Sequence, residues 1–335
     1  MKGVLVRRRS VLPAFIVASV LALLFVGSAQ ANTVTVGSVL PSGAVSEPVN
    51  EVQTFLNTAL PEKGASLASP VTGTVVRWRL VGAKGGPFFL RILRPNGLGA
   101  YTAVGTSNPV VPNSAGLETF NTNLPIRAGD LLAVDPTNKT DELGFAAAAG
   151  ASFTTIFPTP FEGATVPGRE PVSGKEIELS AEVQPTPEVD SIAPASGSVT
   201  GGTEVKIVGS NFTGASAVKF GELTAQTFKV ESDSEIVATA PKSKKVGSFD
   251  VTVTTLAGTS AAVRGDRFTY TGCVVPQLRN LKLGKAKQAI ARGGCKLGNV
   301  TLRKGVSKMT GKVRQQSPKP KAVLARGAKV KLTLG

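Results

Sequence analysis

Apolar residues in this chain recur mainly in short runs of period two, and 37 Gly and 22 Pro cut those runs apart. Period two places successive side chains on opposite faces of an extended backbone, while Gly and Pro break helices. The pattern therefore restricts the chain to short strands joined by turns. Residues 74–80 alternate in this way, as do residues 88–93, and Gly85-Gly86-Pro87 between them reads as a hairpin turn. Further strands are expected at 116–122, 130–134, 152–156 and 175–182, and residues 124–130 read as a turn feeding a core strand. The spacing of turn signals over residues 32–183 is that of a β-sandwich or barrel.

Charge divides the chain. Residues 273–335 hold sixteen Lys or Arg, no Asp or Glu, and both cysteines, Cys273 and Cys295. Apart from these sixteen and Lys2, Arg7, Arg8 and Arg9, residues 32–272 carry 18 basic against 22 acidic side chains. The net charge of +16 thus belongs to one terminal module on a mildly acidic body, an asymmetry that points to an anionic partner. Two seams mark the organisation, Gln184-Pro185-Thr186-Pro187 and Tyr270-Thr271-Gly272.

The N-terminus has the layout of an export signal. Lys2, Arg7, Arg8 and Arg9 precede an apolar run over 11–27, and Ala29-Gln30-Ala31 supplies a small-x-small cleavage site after Ala31. Residues 1–31 are read as a signal peptide. An uncleaved anchor is the alternative, although the run falls short of the roughly 20 residues that span a bilayer. A secreted product with no integral anchor is expected. In an oxidising compartment, two cysteines favour a disulfide over free thiols. Closing the loop between Cys273 and Cys295 would stabilise a small module by about 3 kcal/mol. With no His and only two Cys in the chain, a structural zinc site of four Cys or His ligands is poorly supported. No metal or cofactor is expected.

Three resemblances follow from the residues. Residues 32–183 look loosely like jelly-roll modules of secreted bacterial proteins. Residues 186–271 contain Val189-Asp190-Ser191-Ile192-Ala193-Pro194, Gly201-Gly202-Thr203-Glu204-Val205-Lys206-Ile207-Val208-Gly209-Ser210-Asn211-Phe212, Val218-Lys219-Phe220-Gly221 and Phe268-Thr269-Tyr270. This segment closely resembles the IPT/TIG domain, an immunoglobulin-like sandwich, with Val205 and Ile207 on one face and Phe212 as an inward anchor. Residues 273–335 resemble a PASTA domain through Val275-Pro276-Gln277-Leu278, a helix over 283–291 ending at Gly293-Gly294, Gln316-Ser317-Pro318-Lys319-Pro320 and the closing run 324–334. That resemblance implies one helix on three strands. Ala286, Ala289 and Ile290 give the helix an apolar stripe, and Lys329 and Lys331 give the last strand a basic face. Asn280 and Lys321 stand where the family usually has Gly. The fold class expected is mainly β, with a small α+β module at the end.

Catalytic constellations are scarce. Without His, no His-based triad, His–Cys pair or His metal site can form. Asp130, Asp135, Asp141 and Glu142 are the carboxylates available for glycoside hydrolysis, but they lie in turn-rich sequence where Asp serves turns. Arg264-Gly265-Asp266 matches an adhesion tripeptide of low specificity. Trp78, the only Trp, fits a core position better than a carbohydrate platform. The resulting expectation is a secreted, non-enzymatic envelope protein whose PASTA-like module attaches to peptidoglycan or another anionic wall polymer. Lys308, Lys312, Arg314, Lys319, Lys321, Arg326, Lys329 and Lys331 are its candidate contacts. The alternatives are non-specific extracellular nucleic-acid binding through the same module, which lacks the aromatic residues that stack on single strands, and a carbohydrate-binding module in residues 32–183.

Overall fold

The structure, a computed structural model, describes residues 32–40 and 43–335. The signal peptide read at 1–31 lies outside the described residues. The first sandwich is built from β1 (Val34–Gly37), β2 (Val45–Pro48), β3 (Thr54–Ala59), β4 (Gly73–Leu80), β5 (Phe88–Pro95), β6 (Ala100–Thr106), β7 (Glu118–Ile126), β8 (Leu131–Pro136), β9 (Glu142–Ile156), β10 (Thr165–Pro167), β11 (Val172–Ile177) and β12 (Leu179–Pro185). One sheet runs β1-β12-β4-β7. The other runs β10-β6-β5-β8-β3-β9-β11, with β2 added on β9. The chain passes repeatedly between the two sheets, as in a jelly roll. Trp78, Leu80 and Leu179 from the first sheet meet Phe88, Leu90 and Val134 from the second in one apolar core.

Three local expectations change here. Residues 85–87 do not close a hairpin, because β4 and β5 lie in different sheets and the segment carries the chain across the core. Alternation shows which side chains are buried, not which strand lies alongside. Residues 175–182 are not one strand either. β11 ends at Ile177, β12 starts at Leu179, and the chain changes sheets at Glu178. No Gly or Pro marks that crossing, so it left no turn signal. The turn read over 124–130 is shorter than expected, since residues 124–126 finish β7 and the chain turns over 127–130. Asp130 accepts from the Arg127 amide at 2.9 Å, Gly129 takes φ +90°, and β8 follows.

The second sandwich comprises β13 (Glu188–Ala193), β14 (Ser196–Ser198), β15 (Glu204–Ser210), β16 (Ala217–Phe220), β17 (Leu223–Thr224), β18 (Thr227–Ser232), β19 (Glu235–Thr239), β20 (Gly247–Thr255), β21 (Gly258–Thr259) and β22 (Arg267–Thr271). Its sheets run β13-β15-β19-β18 and β14-β22-β20-β16-β17, with β21 on β20. The alternation of β15 buries Val205 and Ile207 on one face, and Phe212 is buried beside them. Tyr270 is buried with its hydroxyl donating to the Pro241 carbonyl at 2.9 Å, and burial pushes its pKa up to about 12.

The last module holds β23 (Cys273–Val274), α1 (Leu283–Arg292), β24 (Lys296–Leu302), β25 (Val313–Ser317), β26 (Val323–Leu324) and β27 (Lys329–Leu334). β24-β27-β25 form a sheet, parallel on one side of β27 and antiparallel on the other, and β23 pairs with β26. α1 buries Ala286 and Ile290 against this sheet's apolar face. Gly294 at φ +72° turns the chain out of the helix. Cys273 and Cys295 are bonded, with Cα atoms 4.7 Å apart, and tie the module's entry to the strand after α1. Both junctions are short. Thr186 donates its amide to the Thr72 carbonyl at 3.0 Å, and Val323 packs against the core of the second sandwich.

Candidate binding site

Every one of the sixteen Lys and Arg in residues 273–335 is exposed, and among the described residues none of them makes an ion pair. The reason is compositional, since the module offers no acid to pair with. These cations are arranged by the strands. In β27, Val330, Leu332 and Leu334 point into the core, so Lys329, Lys331 and Thr333 share the outer face. The parallel register sets Lys296 opposite Lys329, and the antiparallel register sets Ser317 opposite Lys331.

That outer face carries a groove of about 540 Å³ lined by Asn299, Thr301, Gln315, Gln316, Ser317, Lys331, Leu332 and Thr333. A second groove of about 200 Å³ is lined by residues that include Arg279, Arg314, Gln315 and Gln316. The two meet at Gln315 and Gln316, with Lys331 lining the first and Arg279 and Arg314 the second. Gln316 itself is a structural clamp. Its Oε1 accepts from the Leu278 amide at 2.9 Å, and its Nε2 donates to the Pro276 carbonyl at 2.9 Å. Hydroxyls and amides in this density suit a polymer rich in hydroxyl, amide and carboxylate groups.

The eight cations singled out from sequence do not converge on one patch. Lys329, Lys331 and Arg314 sit on the strands that carry the two grooves. Lys308 and Lys312 lie in the connection before β25, Lys319 and Lys321 in the turn before β26, and Arg326 in the turn before β27. Lys296 and Arg279 belong to the surface as much as any of them, and sequence reasoning passed over both. Strand register placed Lys296, and the fold of residues 276–282 beside β25 placed Arg279; neither has a local signal. The two departures from the family pattern, Asn280 and Lys321, both adopt φ +68°. The fold keeps the backbone that Gly would favour and carries it with side chains.

Elsewhere the weaker candidates find structural employment. Asp130 binds Arg94 through 2.8 and 2.9 Å bonds. Asp135 pairs with buried Arg91 at 2.5 Å. Asp141 accepts from the amides of Gly86, Thr137 and Asn138, and Glu142 pairs with Lys84 at 2.7 Å. Trp78 is fully buried and packs on Phe120 with ring centroids 5.0 Å apart, so it offers no sugar platform. Asp266 is fully buried, its carboxylate accepting from the Val263 amide, so Arg264-Gly265-Asp266 cannot present its acid outward.

Among the described residues no helix is long and apolar enough to cross a membrane. A search of the curated proteins finds no match. Among solved structures, the plexin A4 full extracellular region is similar at 15% identity, covering 65% of this chain and 18% of that one, with a TM-score of 0.25. The chain thus spans less than a fifth of that protein, and the likeness carries no functional argument. Family models are more informative, one described as the IPT/TIG domain matching residues 187–270 and one described as the PASTA domain matching residues 274–335. Sheet order, the single helix and these matches agree, and the chain carries an IPT/TIG domain over 187–270 followed by a PASTA domain over 274–335.

Proposed function

We propose that this is a non-catalytic cell-envelope protein that attaches to an anionic wall polymer through its PASTA domain. The pairing of IPT/TIG and PASTA domains with a disulfide already fits extracellular or envelope-associated multidomain proteins. The observation that carries the finer reading is the surface of residues 273–335. Sixteen exposed cations are spread over a module with no acid to compensate them, and one of them, Lys331, lines a polar groove on the outer face of its sheet. Peptidoglycan supplies the matching chemistry, with hydroxyls and amides for Asn299, Thr301, Gln315 and Thr333 and carboxylates for Lys296, Lys329 and Lys331. The two sandwiches act as spacers that hold this surface at a distance.

The test is co-sedimentation of the full chain with isolated cell walls across a salt series, beside Lys329→Glu/Lys331→Glu and a parallel titration with duplex DNA. Exposed charges are screened over about 8 Å at physiological salt. Wall binding should therefore fall with salt and drop at least fivefold in the double variant. Retention that ignores both salt and the variant overturns the reading. Tighter binding to DNA than to walls would favour a nucleic-acid partner instead.

A further inference from the structure

A second site of different character lies on the IPT/TIG domain. β16 and β17 form a tight hairpin in which Phe220 faces Leu223 across the ladder, with Gly221 at φ +62° in the turn. Phe249 of β20 lies alongside. Together with residues 242–245 they enclose a groove of about 540 Å³ lined by Phe220, Leu223, Phe249, Lys242, Lys244 and Lys245, with Glu222 and Ser243 completing it. The floor is apolar and one rim is cationic.

That rim is built rather than incidental. Ser243 is buried, its hydroxyl donating to the Lys245 carbonyl at 2.7 Å and accepting from the Lys245 amide at 3.0 Å. The Ser243 amide donates to the Val199 carbonyl at 2.9 Å, and the Tyr270 hydroxyl holds the Pro241 carbonyl. With the serine turned inward and the loop fixed at both points, Lys242, Lys244 and Lys245 are all exposed. None of the three makes an ion pair among the described residues. Glu222 is the one acid in the lining, against three cations. This concentration of charge stands out in a domain whose residues 186–271 carry 8 basic and 9 acidic side chains.

We propose that this groove binds a single-chain amphipathic anion, an apolar body terminated by a carboxylate or phosphate. The apolar body lies over Leu223 and Phe249, above the buried Phe220, and the head group is held among Lys242, Lys244 and Lys245. The site is concave and of the volume typical for small-molecule pockets, which fits one inserted chain better than the flat face of a membrane. It is independent of the wall-binding surface and contributes none of that surface's residues.

The test is calorimetric titration of the full chain with dodecanoate below its micelle concentration, with dodecyltrimethylammonium as the cationic counterpart of equal apolar length. Dodecanoate is expected to bind at least tenfold tighter. Lys242→Ala/Lys244→Ala/Lys245→Ala should weaken it at least tenfold, and Leu223→Glu should do the same, while neither change affects wall co-sedimentation. Since all four positions are exposed, folding should be retained, and the unaltered wall binding and melting temperature serve as controls. Equal affinity for the cationic analogue overturns the proposal. So does dodecanoate binding that survives both variants but is lost in Lys329→Glu/Lys331→Glu. Binding only to phosphatidylglycerol vesicles, with none to dodecanoate, would also overturn it by pointing to a membrane surface.

Discussion

Glu176 shows how one residue sets a pH response. Its carboxyl is fully buried in β11, and burial first, then the neighbouring Glu62 carboxyl, raises its pKa from 4.5 to about 7. Between those two values the folded state holds a proton that the unfolded chain has released. This group therefore adds no penalty below about 4.5, and stability falls as pH rises through the window to about 7. Glu176→Gln should raise the stability at pH 8 by up to about 3 kcal/mol and flatten the slope of denaturation midpoint against pH between those values. Chemical denaturation at several pH values reads both effects. Lys321 makes a second case. A non-Gly residue at positive φ costs about 1–2 kcal/mol, while Gly costs roughly 0.5–1 kcal/mol of unfolded-chain entropy. Lys321→Gly is therefore expected to stabilise by about 0.5 kcal/mol in thermal unfolding, and Asn280→Gly to change less, because Asn tolerates that backbone. Both positions were legible as family departures from sequence alone. The burial of Glu176 was not, because Glu in an alternating run reads as solvent-facing until the sheet above it is known.

At the scale of elements, β5 and β8 are joined by Arg91 and Asp135, both buried and 2.5 Å apart. Burial raises the Asp135 pKa, and the Arg91 guanidinium opposes that rise. Arg91 also donates to Thr106 at 2.9 Å, linking three adjacent strands. Removing one partner strands a buried charge, so Arg91→Met should destabilise by about 3–5 kcal/mol, whereas Arg91→Met/Asp135→Leu should recover most of that loss. Denaturant midpoints of the single and double variants measure the difference. In the PASTA domain, Cys273→Ser/Cys295→Ser should lower stability by about 3 kcal/mol, visible as earlier melting in thermal scans of the full chain. That disulfide was readable from the export-signal pattern of the N-terminal sequence together with the cysteine count. The ion pair was not, since Arg91 and Asp135 are 44 residues apart and meet only through the register of β5 on β8. The crossing at 85–87 failed for a related reason, because a turn signal does not say which sheet comes next.

For the whole molecule, the junctions decide how the charged module is presented. Gly272 has no room for a side chain. A Cβ there would lie 2.9 Å from the Leu324 carbonyl oxygen and from both Val199 methyls. Gly272→Leu should therefore push the last two domains apart, increase proteolysis near residue 272 and leave the core of each domain intact, which limited digestion with mass analysis would show. The sequence by itself determined the strand-rich character and the segregation of positive charge through periodicity and composition, the two C-terminal domain families through the motif residues that carry their resemblance, and the disulfide through the number of cysteines and the export-signal pattern, all of them local properties of a chain. Tertiary structure alone decided which sheet each strand joined, that Lys296 stands opposite Lys329 while Lys331, Arg279 and Arg314 line two adjoining grooves, and that three lysines overhang an apolar groove on the neighbouring domain. Those arrangements depend on strand register and crossover, contacts between residues far apart in sequence, and no local pattern encodes them.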